Sequence, residues 1–311
     1  MNLNVSPERR FDIAKIICKF LPPILAHQIQ GFLINSDEGA KISLDFKKKS
    51  ITGGFLRGNT RDMVAFKFSI HGYFDWRNIA LTNKILQLNS GNVIEVGANI
   101  GTETISLARI CKKNVYAFEP LPANFKSLCQ LKRDNSFGNL YLDNVLISDF
   151  DGKANFKIPE ENNSGTGHLV ESDLGNIGEY DVVTLDAKLD SLTSCAVIII
   201  DVEGFEFNVI QGAKKIIQRF KPYIIIEVNP NYLKKRANIS VVNLYEELTK
   251  LGYTCYNIDK LRIMEIEINN YKVNSNKNWI CIPNGGKSNK KILSNSIFLN
   301  GINPFINYKI F

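Results

Sequence analysis

A chain of 311 residues, 44% of them hydrophobic and 22% charged, is long enough for one large α/β core with added elements, and its composition is that of an ordinary globular protein. The net charge of +7 is uneven: residues 1–90 carry 13 Lys/Arg against 7 Asp/Glu, residues 91–283 carry 21 against 24, and the tail from Asn284 carries 4 against none. Basic flanks suit an anionic surface such as membrane lipid or acidic glycan. A dedicated nucleic-acid binder would instead interleave a basic stripe with aromatics, so no nucleic acid is expected as a partner.

The stretch Ile16 to Ile34 is apolar but interrupted by Lys19, Pro22, Pro23 and His27, which is wrong for a spanning helix or a signal peptide. An amphipathic helix is expected around Phe11 to Leu21. Its apolar residues Phe11, Ile13, Ile16, Ile17 and Phe20 can touch a membrane, although packing on the core is the plainer reading. Lys47-Lys48-Lys49 reads as a solvated turn, Met63 to Ile70 as a strand, and Ile79 to Leu88 as a helix. Residues 1–90 thus form a cap.

From Asn92 short apolar runs alternate with amphipathic segments, which predicts a parallel sheet covered on both faces. Strands are expected at 92–96, 114–118, 140–147, 196–201 and 223–228, with helices near 102–110, 122–133 and 205–219. Tyr253 to Ile258 and Trp279 to Pro283 are expected to close one edge as an antiparallel pair. The segment 150–190 is the least regular; Asn162 to Gly167 is a loop, and the segment is a candidate lid or substrate loop. The domain is bounded at 91–283, and the tail 284–311 is expected to be partly ordered, with Ile297 to Leu299 and Phe305-Ile306 able to dock. Six scattered cysteines without a CxxC pair read as reduced thiols in a cytoplasmic protein.

The strongest local signal is Val93-Ile94-Glu95-Val96-Gly97-Ala98-Asn99-Ile100-Gly101-Thr102, a strand running into a glycine turn and then a helix. Gly97 and Gly101 allow close backbone approach to a ligand, and the helix start supplies N–H donors. The spacing is E-x-G-x-x-x-G. A dinucleotide fingerprint needs G-x-G-x-x-G, but its middle position here is Asn99 and the last glycine comes one residue early. Glu95 would repel a pyrophosphate and suits an ammonium group such as that of S-adenosylmethionine. Glu119, in Phe118-Glu119-Pro120 at the end of the second strand, can accept both ribose hydroxyls.

These residues resemble the FkbM-type methyltransferases. The family's motifs stand here as Gly97-Ala98-Asn99-Ile100-Gly101, Phe118-Glu119-Pro120, Ser148-Asp149-Phe150-Asp151-Gly152 and Asp201-Val202-Glu203-Gly204-Phe205-Glu206, within roughly residues 70–283. The resemblance implies a Rossmann-like class I methyltransferase fold with a seven-stranded, mostly parallel sheet and helices on both faces. It implies S-adenosyl-L-methionine as cofactor, held by Glu95, Gly97, Ala98, Asn99, Gly101, Thr102, Glu119, Pro120, Asn124, Ser148 and Asp149, with Asn144 also near it. The acceptor it implies is a hydroxyl of a sugar, glycan, glycolipid or secondary metabolite.

Asp201 closes the fourth strand and faces the reactive part of such a cofactor, so Asp201 or Glu203 is the candidate base. Glu203 and Glu206 also suit a helix N-terminus as plain dipole partners. His71 is a further candidate base from the cap. Asp201, Glu227 and Asn229 can together hold Mg²⁺. Asn229-Pro230-Asn231-Tyr232 is similar to the N-P-P-Y loop of nitrogen methyltransferases, but it follows the fifth strand rather than the fourth and reads as a turn. The chain departs from the family at Ile199, where a Lys is common. Two rivals follow: a nitrogen methyltransferase acting on nucleic acid or protein, and a cofactor-binding protein without turnover.

Overall fold

The computed structural model describes residues 5–157, 168–169, 177–271 and 277–304. The cap begins with α1 (Pro7–Cys18), α2 (Pro23–Leu33) and α3 (Ser36–Ile42), followed by a hairpin of β1 (Asp45–Lys49) and β2 (Phe55–Asn59). The lysine run expected as a turn is therefore strand β1. Lys48 stays half-buried, with its ammonium donating to the Ile70 carbonyl at 2.9 Å.

The segment expected as a strand from Met63 is instead helix α4 (Met63–His71). Asp62 caps it by accepting from the Ala65 N–H at 2.8 Å, and Gly72, at φ +77°, ends it. Its mixture of aromatic and branched residues reflects burial on most sides, with Val64, Phe66, Phe68 and Ile70 all inside. The cap closes with α5 (Trp76–Leu88).

The core runs through β3 (Val93–Val96), α6 (Thr104–Ile110), β4 (Val115–Phe118), α7 (Pro122–Asn135) and β5 (Leu140–Asp143). The strand expected over 140–147 is divided. Its second part, β6 (Leu146–Ile147), leaves the main sheet and joins β7 (Gly152–Lys157), β8 (His168–Leu169) and β9 (Ile177–Val183) in a small sheet of order β6-β9-β7-β8. The loop expected at 162–167 lies outside the described residues. After the short α8 (Leu185–Lys188) come β10 (Val197–Ile200), α9 (Glu206–Gln211), α10 (Lys214–Phe220) and β11 (Tyr223–Val228). Then follow α11 (Pro230–Arg236), α12 (Val241–Lys250), β12 (Tyr253–Ile258), β13 (Ile263–Glu265) and β14 (Lys277–Pro283).

The main sheet has the order β13-β12-β14-β11-β10-β3-β4-β5. Strands β11, β10, β3, β4 and β5 are parallel, while β14 runs antiparallel to both β11 and β12. The expected seven strands are present, and three-residue β13 adds an eighth at the edge.

Strand alternation assigns the two faces. Val93, Val197, Ile199 and Ile225 pack with α5 on the cap side, whereas Ile94, Val96, Ile198 and Ile226 pack with α9, α10 and α12 on the other. The segment expected as a partly ordered tail is helix α13 (Lys290–Ile302), which buries Leu293 and Ile297 in the cap-side core. Phe305 and Ile306 lie outside the described residues. No described helix is long and apolar enough to cross a membrane, and all six cysteines are free.

Candidate active site

The turn after β3 is shaped by contacts within the protein. Gly97 has φ +88°, and a Cβ there would stand 1.8 Å from the Asp201 carbonyl oxygen, so only glycine lets β3 and β10 end side by side. Gly101, at φ +93°, would drive a Cβ to within 2.6 Å of Leu131 and 2.9 Å of Leu128. Its role is to seat the start of α6 on α7, and it does not line the cleft, which corrects the expectation that it clears space for a ligand.

Asn99, also in the left-handed region at φ +49°, donates its N–H to Glu119 Oε2 at 2.8 Å. The other carboxylate oxygen, Glu119 Oε1, accepts from the Leu121 N–H at 3.0 Å and from Asn124 Nδ2 at 3.3 Å. Thus Asn124 braces Glu119 from behind and does not itself line the cleft.

Beyond the carboxyl ends of the strands lies a cleft of about 670 Å³. One half is walled by Glu95, Gly97, Ala98, Asn99, Thr102, Glu119 and Pro120; the other by Asp201, Glu203, Glu227, Asn229 and Tyr232. The register explains the convergence. Ile199 lies opposite both Glu95 and Ile225, so two residues further on Asp201 and Glu227 leave the sheet on that same cap-side face.

Ser148 and Asp149, expected at the cofactor, are turned away. Ser148 Oγ bonds Asp149 Oδ1 at 3.0 Å, and Asp149 accepts from Asn208 Nδ2 at 3.1 Å, which ties the small sheet to α9. Asn144 likewise donates to the Glu119 and Pro120 carbonyls, both at 2.8 Å. In their place Val145, Leu146 and Ile147 line the cleft.

His71 is also corrected: it is 3% exposed, neither ring nitrogen has a partner among the described residues, and it does not reach the cleft. It stacks under His27, with ring centroids 4.5 Å apart, and His27 is the histidine that lines the cleft. Burial lowers the pKa of both, so both rings are neutral near pH 7.

The second half of the cleft is a convergence of carboxylates. One ligand oxygen from each of Asp201, Glu203 and Glu227 falls within 4.8 Å of the others. Asp201 is reached by solvent through the cleft yet ringed by protein. Desolvation, the charge of Glu227 and a side-chain hydrogen bond to Glu227 push its pKa well above the usual carboxylate range.

Glu203 stands in the left-handed region at φ +56°, a conformation costing a non-glycine residue about 1 kcal/mol. Burial and Glu227 push it up to about 7, against the pull of Arg236. The Arg236 guanidinium lies 3.7 Å from the Glu203 carboxylate and donates to the Glu203 carbonyl at 2.6 Å. Glu206 points inward as the first residue of α9. Its Oε1 accepts from the Gly204 N–H at 2.7 Å, the plain helix-start arrangement.

Asn229, expected as a metal ligand, spends its side-chain oxygen on the start of α11, accepting from the Asn231 and Tyr232 N–H groups at 3.1 and 3.2 Å. The expected turn is therefore a capped helix start, and Glu203 takes the third place in the carboxylate set.

On the other half, Glu95 is 4% exposed, and its Oε2 accepts from Thr104 Oγ1 at 2.7 Å. Burial pushes its pKa well above the usual range. It sits within strand β3 rather than in the turn.

Sequence reading missed Glu103, Lys67, Asp75, Arg77 and Asn78, which come from α4, α5 and the start of α6. Glu103 Oε1 accepts from the Asp75 N–H at 3.0 Å and Asn78 Nδ2 at 2.9 Å, which fixes the cap over the cleft, and burial pushes it up to about 8. Asp75 holds Arg77 through a hydrogen bond from Nε at 2.9 Å. The legible signal was the N-cap position of Asp75 before an apolar helix.

Residues 95–255, just over half of the chain, match the family model described as the methyltransferase FkbM domain. No curated protein matches. Among solved structures, methyltransferase FkbM from Methylobacillus flagellatus KT is 14% identical over 88% of this chain, with a TM-score of 0.42. This chain spans only 59% of that structure's length. Precorrin-6y C5,15-methyltransferase from Geobacter metallireducens GS-15 is 15% identical over 66% of this chain and 85% of its own, at 0.36. TYW2 of M. jannaschii in complex with AdoMet is 18% identical over 77% and 85%, at 0.37.

Proposed function

The chain belongs to the FkbM methyltransferase family, and from that premise we propose that it moves the methyl group of S-adenosylmethionine onto a hydroxyl oxygen of a carbohydrate or other polyhydroxyl acceptor. The observation that carries this reading is the division of one cleft into a half walled by Glu95, Gly97, Asn99 and Glu119 and a half where Asp201, Glu203 and Glu227 converge.

The donor set fits the cofactor. A pyrophosphate entering beside Gly97 would meet Glu95 and Glu119, two buried carboxyls, whereas an ammonium and a sulfonium are counter-charges to them. Glu119 Oε1 already accepts two donors, so its remaining acceptor capacity lies on Oε2, enough for one ribose hydroxyl. Leu121, Leu146 and Ile147 offer an apolar wall for a purine ring. When bound, S-adenosylmethionine supplies a sulfonium methyl that an aligned oxygen nucleophile can displace.

The chain's own residues have two tasks: to hold the acceptor oxygen in line and to receive its proton. Asp201 and Glu227 share a hydrogen bond, and that bond, burial and the neighbouring charge raise the proton affinity of Asp201. Ionised Asp201 takes the acceptor's proton. Its raised affinity for a proton makes Asp201 a better base than an ordinary carboxylate. A base is what a hydroxyl acceptor requires. The amide that would hold an amine, Asn229, is already engaged in capping α11.

A second reading concerns the acidic half alone. Asp201, Glu203 and Glu227 would hold Mg²⁺, which favours oxygen ligands and would neutralise their repulsion. Dialysis against EDTA separates the two. Loss of transfer that Mg²⁺ restores supports the ion, and unchanged transfer supports Asp201 as a base acting without one.

The acceptor is tested directly. Methyl-labelled S-adenosylmethionine with purified chain and cell-envelope glycan should give an alkali-stable methyl ether. Label found only in protein or RNA would sink the assignment to oxygen and favour nitrogen methylation. Cofactor binding without turnover on a broad acceptor panel would favour a binding protein.

A further inference from the structure

Helix α1 has two apolar stripes, and only one of them is used inside the protein. Phe11, Ala14 and Cys18 are buried against α4, whereas Ile13, Ile16 and Ile17, followed by Phe20 just past the end of the helix, stand outside at the spacing i, i+3, i+4, i+7. Ile16 is 63% exposed and Phe20 62%.

The neighbouring helices repeat the pattern. Helix α2 packs against α1 on one side and α13 on the other; it has no Asp, Glu, Lys or Arg, and it turns Leu25 and Phe32 outward, two helical turns apart. Helix α13 buries Leu293 and Ile297 and leaves Phe298, Leu299 and Ile302 outside. A soluble monomer seldom leaves an apolar face spread over three adjacent helices.

The charges around this face have one sign in excess. The three helices carry Arg9, Arg10, Lys15, Lys290 and Lys291 against Glu8 and Asp12. Arg9 lies one turn before Ile13 on the exposed stripe, and Lys291 lies two turns before Phe298 on the exposed face of α13. Neither has an ion-pair partner among the described residues. Lys19 borders the same stripe, its ammonium 5.8 Å above the Phe20 ring.

We propose that this face of α1, α2 and α13 docks the protein on an anionic lipid bilayer, with the apolar side chains entering the acyl boundary and Arg9 and Lys291 meeting the headgroup phosphates. The charge pattern favours a bilayer over a second copy of the chain. In a two-fold dimer the patch meets itself, so Arg9 and Lys291 would face cations of the same kind. It also disfavours a nucleic acid, which would require cations where the stripe has isoleucine and phenylalanine. Apolar burial joined to attraction for anionic headgroups is how an amphipathic helix lies in a membrane surface.

The test is co-sedimentation of the full chain with extruded vesicles, one set of phosphatidylcholine alone and one of equal phosphatidylcholine and phosphatidylglycerol. The chain should sediment with the mixed vesicles at low salt and at least about tenfold less with phosphatidylcholine. The double variant Ile16→Glu/Phe20→Glu should lose at least about tenfold in binding, with its circular dichroism and S-adenosylmethionine affinity unchanged. Arg9→Gln/Lys291→Gln should bind more weakly and with a shallower salt dependence. If the first variant does not fold, Phe32→Ser on α2 gives the same readout. Failure of the wild type to sediment, equal binding to both vesicle types, or variants that bind like the wild type would overturn the proposal. So would a dimer, seen by analytical ultracentrifugation, that Ile16→Glu/Phe20→Glu breaks.

Discussion

Glu95 and Asp201 face one cleft from neighbouring strands, each a carboxyl held well above its ordinary pKa by burial. A cation entering between them draws both towards ionisation, so cofactor binding should release protons. Glu119 and Glu103 line the same cleft and are pushed up to about 7 and about 8, so affinity for S-adenosylmethionine should rise with pH through that range as the cation draws them towards ionisation. Calorimetric titration in two buffers of different ionisation enthalpy measures this. S-adenosylhomocysteine, which lacks the sulfonium charge, should release fewer protons, and equal release by both would contradict a carboxylate-lined methyl site. Glu119→Gln should weaken binding by about 1–3 kcal/mol by leaving the Asn99 N–H with a poorer acceptor.

At the scale of elements, Gly101→Ala should destabilise the chain by about 1–3 kcal/mol, because the added methyl would press on Leu128 and Leu131 where α6 meets α7. A lower urea midpoint with an unchanged slope would show it. The same glycine marks how far the sequence could be read. Its spacing from Gly97 located the turn, but that the glycine serves packing and not ligand clearance depends on α7, some thirty residues later. Strands β3, β10 and β11 were legible because each is a short run rich in Val and Ile and buried on both faces. Helix α4 was not, since burial on most sides erased its polar stripe. Its caps, Asp62 and Gly72, were the better signal. His27 and Glu103 reach the cleft only because cap and core fold together, which no local pattern announces.

At the scale of the molecule, α13 belongs to the same core as the sheet. Leu293→Ala should cost about 2–5 kcal/mol by opening a cavity beside α5, measurable by urea denaturation. Stability should also fall as pH rises from about 6.5 to about 8. In that window the folded chain holds protons on Glu103, Glu119, Glu203 and Glu206, whose pKa values are pushed up to between about 7 and about 8, while the unfolded chain has lost them near 4.5. The lowered pKa values of His27 and His71 act in the opposite sense, but only below about 6.5. Thermal unfolding across the window checks the slope, and saturating S-adenosylmethionine should flatten it.

The carboxylates Asp201 and Glu227 at the ends of β10 and β11 carry the proposed proton transfer. Single-turnover methyl transfer by Asp201→Asn, at saturating S-adenosylmethionine and with an acceptor that the wild type methylates, tests it most directly. Loss of about 10²-fold or more in rate with cofactor affinity kept is the predicted result. A variant that transfers methyl at the wild-type rate would contradict it.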